Sequence, residues 1–179
     1  MAQTLLVSNV KKITPEEKHI TLLDVCQTRW VKRIDGLDRF EDMFEVVMVT
    51  LQTIRDDVGN HWNNDSRHKA GSLFYSLAEF SFIFSMVVAK YFFFKMRPLT
   101  TGLQKRELEV DFVKNSLKTS AERDNLERIH QELYDRATTI ADFIGSKPGK
   151  PRICKRMTNR ENHEAPTSID YYRVTNVIF

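Results

Sequence analysis

The string Cys26-Gln27-Thr28-Arg29-Trp30 holds the residue types best suited to grip a distorted nucleic acid. A guanidinium binds phosphate through two parallel donors, and an indole offers a flat face to an unstacked base. Thr28 has the hydroxyl of a helix N-cap, which would set Arg29 and Trp30 in a first helical turn. Trp30 also opens an apolar stripe, so its ring can equally be a core anchor beside a solvated Arg29.

A second set of cations follows much later. Residues Ser146 to Arg160 carry Lys147, Lys150, Arg152, Lys155, Arg156 and Arg160 and no acidic residue. Three compatible readings apply: a solvated connection, a salt-sensitive strip for phosphate backbones, and a nuclear-import signal over Lys150–Arg156. The last gives the nucleus as the expected location. The net charge of the chain, +3, would not imply nucleic acid without such local concentration.

Catalytic groups are harder to find. Asp56 and Asp57 are adjacent, so on a helix they diverge by about 100° and cannot share a metal. Asp24 has no second carboxylate in clear relation to it. A two-metal nuclease needs carboxylates clamping ions about 4 Å apart. Cys26 and Cys154 are distant and outside any C-x-x-C pair, which fits a reducing compartment. His19, His61, His68, His130 and His163 show no paired ligand spacing. No serine elbow or phosphate-cradling glycine loop is present. The reading is therefore of no catalytic residue, no metal and no cofactor.

These residues need helices to position them. The chain has 179 residues, 41% hydrophobic, with only 6 Gly and 5 Pro, which suits one helical domain. Residues 1–22 read as an irregular lead-in, with Thr14 capping a short turn that Pro15 opens. Trp30, Ile34, Leu37, Phe40, Phe44, Val47, Leu51, Ile54 and Val58 recur every three or four positions. They predict one helix from Arg29 to Val58, about 45 Å long if straight. Asp65 or Ser66 would cap a second helix reaching about Met96. Its stripe is Leu73, Leu77, Phe80, Phe84, Val87, Val88 and Tyr91, and it is expected to be buried nearly all round rather than to cross a membrane. Pro98 should interrupt it. A third helix is expected over Leu99–Leu117 and a fourth from near Ser120 to Ile144, stopped by Gly145. Residues 171–179 read as strand or helix. The domains are then 1–22 lead-in, 23–145 helical domain, 146–167 basic linker and 168–179 the start of a further element.

Three segments carry a family resemblance. Cys26–Trp30 resembles the Cys-x-Thr-Arg-Trp signature of hAT-type DNA transposases, where it opens an all-helical domain inserted into a nuclease core. Leu99-Thr100-Thr101-Gly102-Leu103-Gln104 is similar to a leucine, small-residue, leucine-glutamine stretch inside that domain. Arg152 to Arg173, with Arg156, Asn159-Arg160, Asn162 and Tyr171-Tyr172-Arg173, resembles the basic run near its close. The resemblance covers about residues 20–175 and extends to transposase-derived proteins such as the zinc finger MYM-type group. It implies an all-α bundle of about four helices, the insertion domain of an RNase H-like transposase without its catalytic core. It also implies that Arg29 and Trp30 hold DNA near a transposon end, with Lys147, Lys150, Arg152, Lys155, Arg156 and Arg160 along the backbone. In that family two aspartates precede the signature and a glutamate follows the insertion. No residue here matches those three positions, so the resemblance implies a non-catalytic module. Its partners would be DNA, or a second copy or related protein. The rival reading is a helical interaction or scaffold module that never touches nucleic acid.

Overall fold

Leu6, Val10 and Ile13 stand four and three residues apart, one face of a helix, and the chain opens as one. The structure, a computed structural model, describes residues 1–16, 18–23, 30–59, 61–103, 126–150 and 165–176. Among these residues there are seven helices and no strand. They are α1 (Ala2–Ile13), α2 (Trp30–Asp42), α3 (Phe44–Arg55), α4 (Asn64–Ala78), α5 (Phe80–Leu103), α6 (Leu126–Phe143) and α7 (Ser168–Asn176). The all-α expectation is met, although the helices outnumber the four expected. Residues 104–125, which hold most of the expected third helix and the start of the fourth, lie outside the described residues.

The irregular lead-in expected over 1–22 is corrected by α1. Pro15 and Glu16 do form a turn directly after Thr14, as expected, but Thr14 has a second role in the chain. It ends α1, and its amide donates to Val10 O at 2.9 Å. Lys11 and Lys12 in the last turn suit the negative end of the helix dipole, and Pro15 follows the stop. The buried Asn9 donates from Nδ2 to Thr50 Oγ1 at 3.0 Å, and Thr50 donates to Val46 O at 2.7 Å. This pair joins α1 to α3 with its polar atoms satisfied.

The single helix expected from Arg29 to Val58 is two helices jointed at Met43. Met43 sits at φ −93°, ψ 5°, yet the i→i−4 bonds run on either side of it, Met43 N to Arg39 O and Val47 N to Met43 O. The neighbours at the joint feed different cores. Met43 joins Val10, Val46 and Val47 under α1, whereas Phe44 joins the large cluster with α5 and α6. Val58, expected on the apolar face, is 95% exposed because α3 ends at Arg55. Asp57 closes the turn beyond it, accepting from the amides of Gly59 and Trp62.

The second expected helix is broken as well. Its cap is neither Asp65 nor Ser66 but Asn63, whose side-chain oxygen accepts from Ser66 N at 2.8 Å. At Glu79 the backbone turns extended, φ −64° and ψ 129°, and α4 and α5 meet at 67°. The Ser146 hydroxyl donates to the half-buried Ala78 carbonyl at 2.6 Å, and Glu79 O takes the first amide bonds of α5. The bend swings Phe80 into the core and leaves Leu73 on the surface, 53% exposed, against expectation. Pro98 does not interrupt α5, which continues to Leu103. The carbonyl that loses its partner belongs to Phe94, a residue 66% exposed, so water can replace the missing bond. No single helix among the described residues is long and apolar enough to cross a membrane, and only the bent α4–α5 pair reaches that length and composition.

Helix α3 packs against both α1 and α4, and α5 packs against α2, α4 and α6. The main core gathers Phe80, Ile83, Phe84, Met86, Val87 and Val88 from α5 with Phe44, Met48, Leu133, Ala137, Ala141 and Tyr172. Each large apolar side chain buried this way contributes roughly 1.5–3 kcal/mol. The expected buried helix is thus real only over the first half of α5; beyond Tyr91 it is mostly exposed.

One acidic group is buried beside this core. The Glu41 side chain is 4% exposed, with Arg136 Nη2 at 2.6 Å and Lys90 Nζ at 3.2 Å. Lys90 also reaches Asp38 at 2.7 Å and Asp42 at 3.4 Å. The network joins α2, α5 and α6.

His130 is also buried, against Phe84 and Tyr134, and its Nε2 has no hydrogen-bond partner among the described residues. Burial, with the nearby Arg173, pushes its pKa below 6.5 against the opposing pull of Glu127 and Asp170. The unfolded chain therefore takes up this proton more readily than the folded one. Stability from neutral His130 is fully present above pH 6.5 and is lost as the pH falls through the lower folded value. Thermal melts over that acidic range should show His130→Leu with a shallower loss than the parent chain.

Gly145 ends α6 as its position suggests. It sits at φ +70°, with Ser146 N donating to Ala141 O and Gly145 N to Asp142 O, a Schellman stop. A Cβ there would meet nothing within 4 Å, so substitution costs only backbone strain. Urea denaturation of Gly145→Ala should read about 1 kcal/mol lower stability, and Gly145→Asn a smaller loss.

Candidate nucleic-acid interface

Trp30 is the first residue of α2, in the first turn the sequence predicts. One turn on, Ile34 is buried, and α2 lies on α5. Arg29, Arg152, Lys155, Arg156 and Arg160 lie outside the described residues, as do Cys26 and Thr28. Of the cations between 147 and 160, the structure describes Lys147 and Lys150.

Lys147 is exposed just beyond the Gly145 stop. Lys150 has a more definite task than the sequence suggested. Its ammonium donates to the carbonyls of Ala165 and of Pro166, the latter at 3.0 Å. An ammonium has three donors, so one remains for a phosphate. Tyr172 OH donates to Gly149 O at 3.0 Å, which fixes the same strand of backbone from the other side. The two flanks of 151–164 are therefore held together at Lys150 and Ala165.

Helix α7, where the sequence left strand and helix open, supplies the other flank. Thr167 and Asp170 form a reciprocal cap: Asp170 N donates to Thr167 Oγ1 at 3.2 Å, and Thr167 N donates to Asp170 Oδ2 at 3.3 Å. The Thr167 hydroxyl, then burial acting in opposition, then the Thr167 amide set the Asp170 carboxyl, whose pKa is held below 3.8. Tyr134 and Ser168 share a hydrogen bond at 2.7 Å, and Arg173 Nη1 pairs with Glu127 at 2.7 Å. Both contacts tie α7 to α6. Tyr171-Tyr172-Arg173, prominent in the sequence, thus packs in part as core: Tyr172 is 2% exposed, and burial foremost pushes its phenol up to about 12.

A second basic surface escaped the sequence reading. Arg55 at the end of α3 and Arg67, His68 and Tyr75 on α4 line one cleft of about 480 Å³. Arg55 and Arg67 are separated by a turn that only the folded chain closes, through a 3.4 Å bond from Arg67 Nε to Arg55 O. No short motif signals such a pairing. Among the described residues no group of three or more His, Cys, Asp or Glu could hold a metal ion.

Comparison with known proteins gives a coarse placement. The chain is 24% identical over 165 residues to the 52 kDa repressor of the inhibitor of the protein kinase from Homo sapiens. It is 25% identical over 166 residues to the Mus musculus protein of that name. In both cases the match takes in 89% of this chain, which spans 22% of the length of the relative. No family model matches the chain, and no solved structure matches it.

Proposed function

We propose that this chain is a non-catalytic, nuclear helical module derived from the insertion domain of an hAT-type transposase, and that it takes part in regulation by holding DNA. Arg29 and Trp30 would grip a distorted end, and Lys147, Lys150, Arg152, Lys155, Arg156 and Arg160 would neutralise phosphates. The observation that carries this reading is the similarity, across 89% of a chain whose described elements are all helices, to a protein named as a repressor. The pinned flanks of 151–164 support it, because a basic segment anchored at both ends loses less conformational entropy on meeting a backbone.

Binding to hairpin-ended DNA, measured over a range of salt, tests the reading. Affinity should fall linearly on logarithmic axes, and each phosphate contact removed should flatten the slope by roughly 0.9. Arg152→Ala with Lys155→Ala should show that change, and Trp30→Ala should weaken binding without altering the slope. Binding indifferent to salt and to all three substitutions sinks the DNA assignment.

A specific observation favours a second reading, protein association. Phe92 is 48%, Phe94 66% and Met96 44% exposed on the outer half of α5. Light scattering that finds dimers dispersed by Phe94→Ser, with no DNA binding, would establish that reading instead.

A further inference from the structure

The α3–α4 cleft gathers basic, hydroxyl and aromatic side chains. Arg55, Arg67, His68, Ser72 and Tyr75 line it, and Gly71 contributes a wall with no side chain. Its volume of about 480 Å³ falls within the roughly 300–1,000 Å³ usual for small-molecule sites. Arg55 is held in place on two sides. Its Nε and Nη2 grip Asp56 at 2.7 Å each, and its guanidinium carbon lies 4.4 Å from the Phe74 ring centre. Arg67 donates only through Nε among the described residues, so its two terminal nitrogens remain for a planar, bidentate acceptor. Tyr75 is 65% exposed and sits 5.5 Å from the Arg55 guanidinium, and an exposed aromatic ring can stack on a base. Asp56, beside the cleft, is gripped through both oxygens by Arg55, and Asp65, next to the lining Asn64, pairs with Lys69.

We propose that this cleft binds a nucleoside monophosphate unit, with its phosphate on Arg67, His68 and Ser72 and its base against Tyr75. The unit can be a free nucleotide or the 5′-terminal nucleotide of a strand. Its lining residues are not among those assigned to DNA above, and the proposal does not rest on that assignment.

Calorimetric titration of the full chain with deoxyadenosine 5′-monophosphate tests the assignment. Deoxyadenosine and inorganic phosphate each lack one half of the recognition and should bind at least about tenfold more weakly. Arg67→Gln should weaken the nucleotide by about tenfold or more, and Arg67→Lys should recover part of that loss because charge returns without the fork. Tyr75→Ala should weaken the nucleotide but not inorganic phosphate. Lys69→Gln, on the same helix but outside the cleft, should leave binding unchanged. Thermal melting of each variant separates lost binding from lost folding. A short single strand carrying a 5′-phosphate, bound more tightly than the nucleotide and weakened by Arg67→Gln, identifies a strand end as the source. Equal affinity for strand and nucleotide identifies the free nucleotide. Undiminished binding by folded Arg67→Gln, or inorganic phosphate bound as tightly as the nucleotide, overturns the proposal.

Discussion

Phe84→Ala should cost about 3–5 kcal/mol, a large part of the roughly 5–15 kcal/mol available to a domain of this kind. Phe84 is 0% exposed, and the rings of Phe80, His130, Tyr134 and Tyr172 surround it at 6.3, 5.9, 6.0 and 4.8 Å. Those neighbours come from α5, α6 and α7, so the cavity would open where three helices meet and none can move in alone. Urea denaturation followed by circular dichroism reads the loss. Phe94→Ala, at a residue 66% exposed, is the matched control and should cost under about 0.5 kcal/mol. Equal costs for the two substitutions would mean that the core is not where these helices cross.

The second large effect lies in the Glu41 network. Lys90→Met leaves Arg136 on Glu41, and Arg136→Met leaves Lys90 there. Arg136 is 54% exposed and therefore screened, and one cation stays on Glu41 in either case, so each single change should cost only about 1 kcal/mol. The double variant strands a carboxylate that is 4% exposed and should cost about 3–5 kcal/mol, more than the sum of the milder single losses. Adding Glu41→Leu to the double variant should restore most of the stability, because the stranded charge is gone. Additive single losses with no such rescue would show that the network is decorative. The network also has an alkaline limit. Burial opposes the charged form of Lys90, but Asp38, Glu41 and Asp42 outweigh it and hold the ammonium above its usual 10.5. With the folded value raised, the contribution is complete below pH 10.5 and disappears as the pH climbs through the higher folded value.

Much of the helical face was legible in the sequence because three-and-four spacing is a direct geometric trace of burial. Ile34, Phe44, Val47 and Ile54 are buried as that spacing requires, and the stop at Gly145 follows from its backbone freedom. The joints were not legible. Met43 and Glu79 carry no glycine or proline, and each break is set by what its neighbours pack against. Pro98 misled in the opposite direction, since an exposed carbonyl tolerates a missing donor. Helix α1 was overlooked because its stripe, Leu6, Val10 and Ile13, is short and runs straight into polar residues. The candidate strip was legible as charge, and its anchoring through Lys150 and Tyr172 was not, because both partners are distant carbonyls. The nucleotide-sized cleft was invisible for a similar reason: Arg55 and Arg67 share no helix.

The corner at Glu79 has a consequence for the order of events during synthesis. The hydroxyl that latches it belongs to Ser146, 68 positions after the Ala78 carbonyl that it meets, and the rings that cover Phe80 and Phe84 come largely from His130, Tyr134 and Tyr172. A growing chain that has emerged only through α5 carries this greasy elbow uncovered. Until the ribosome has delivered α6, the elbow is open to any passing apolar surface, which makes that interval the stage at which this protein is most exposed to chaperone capture or misassembly.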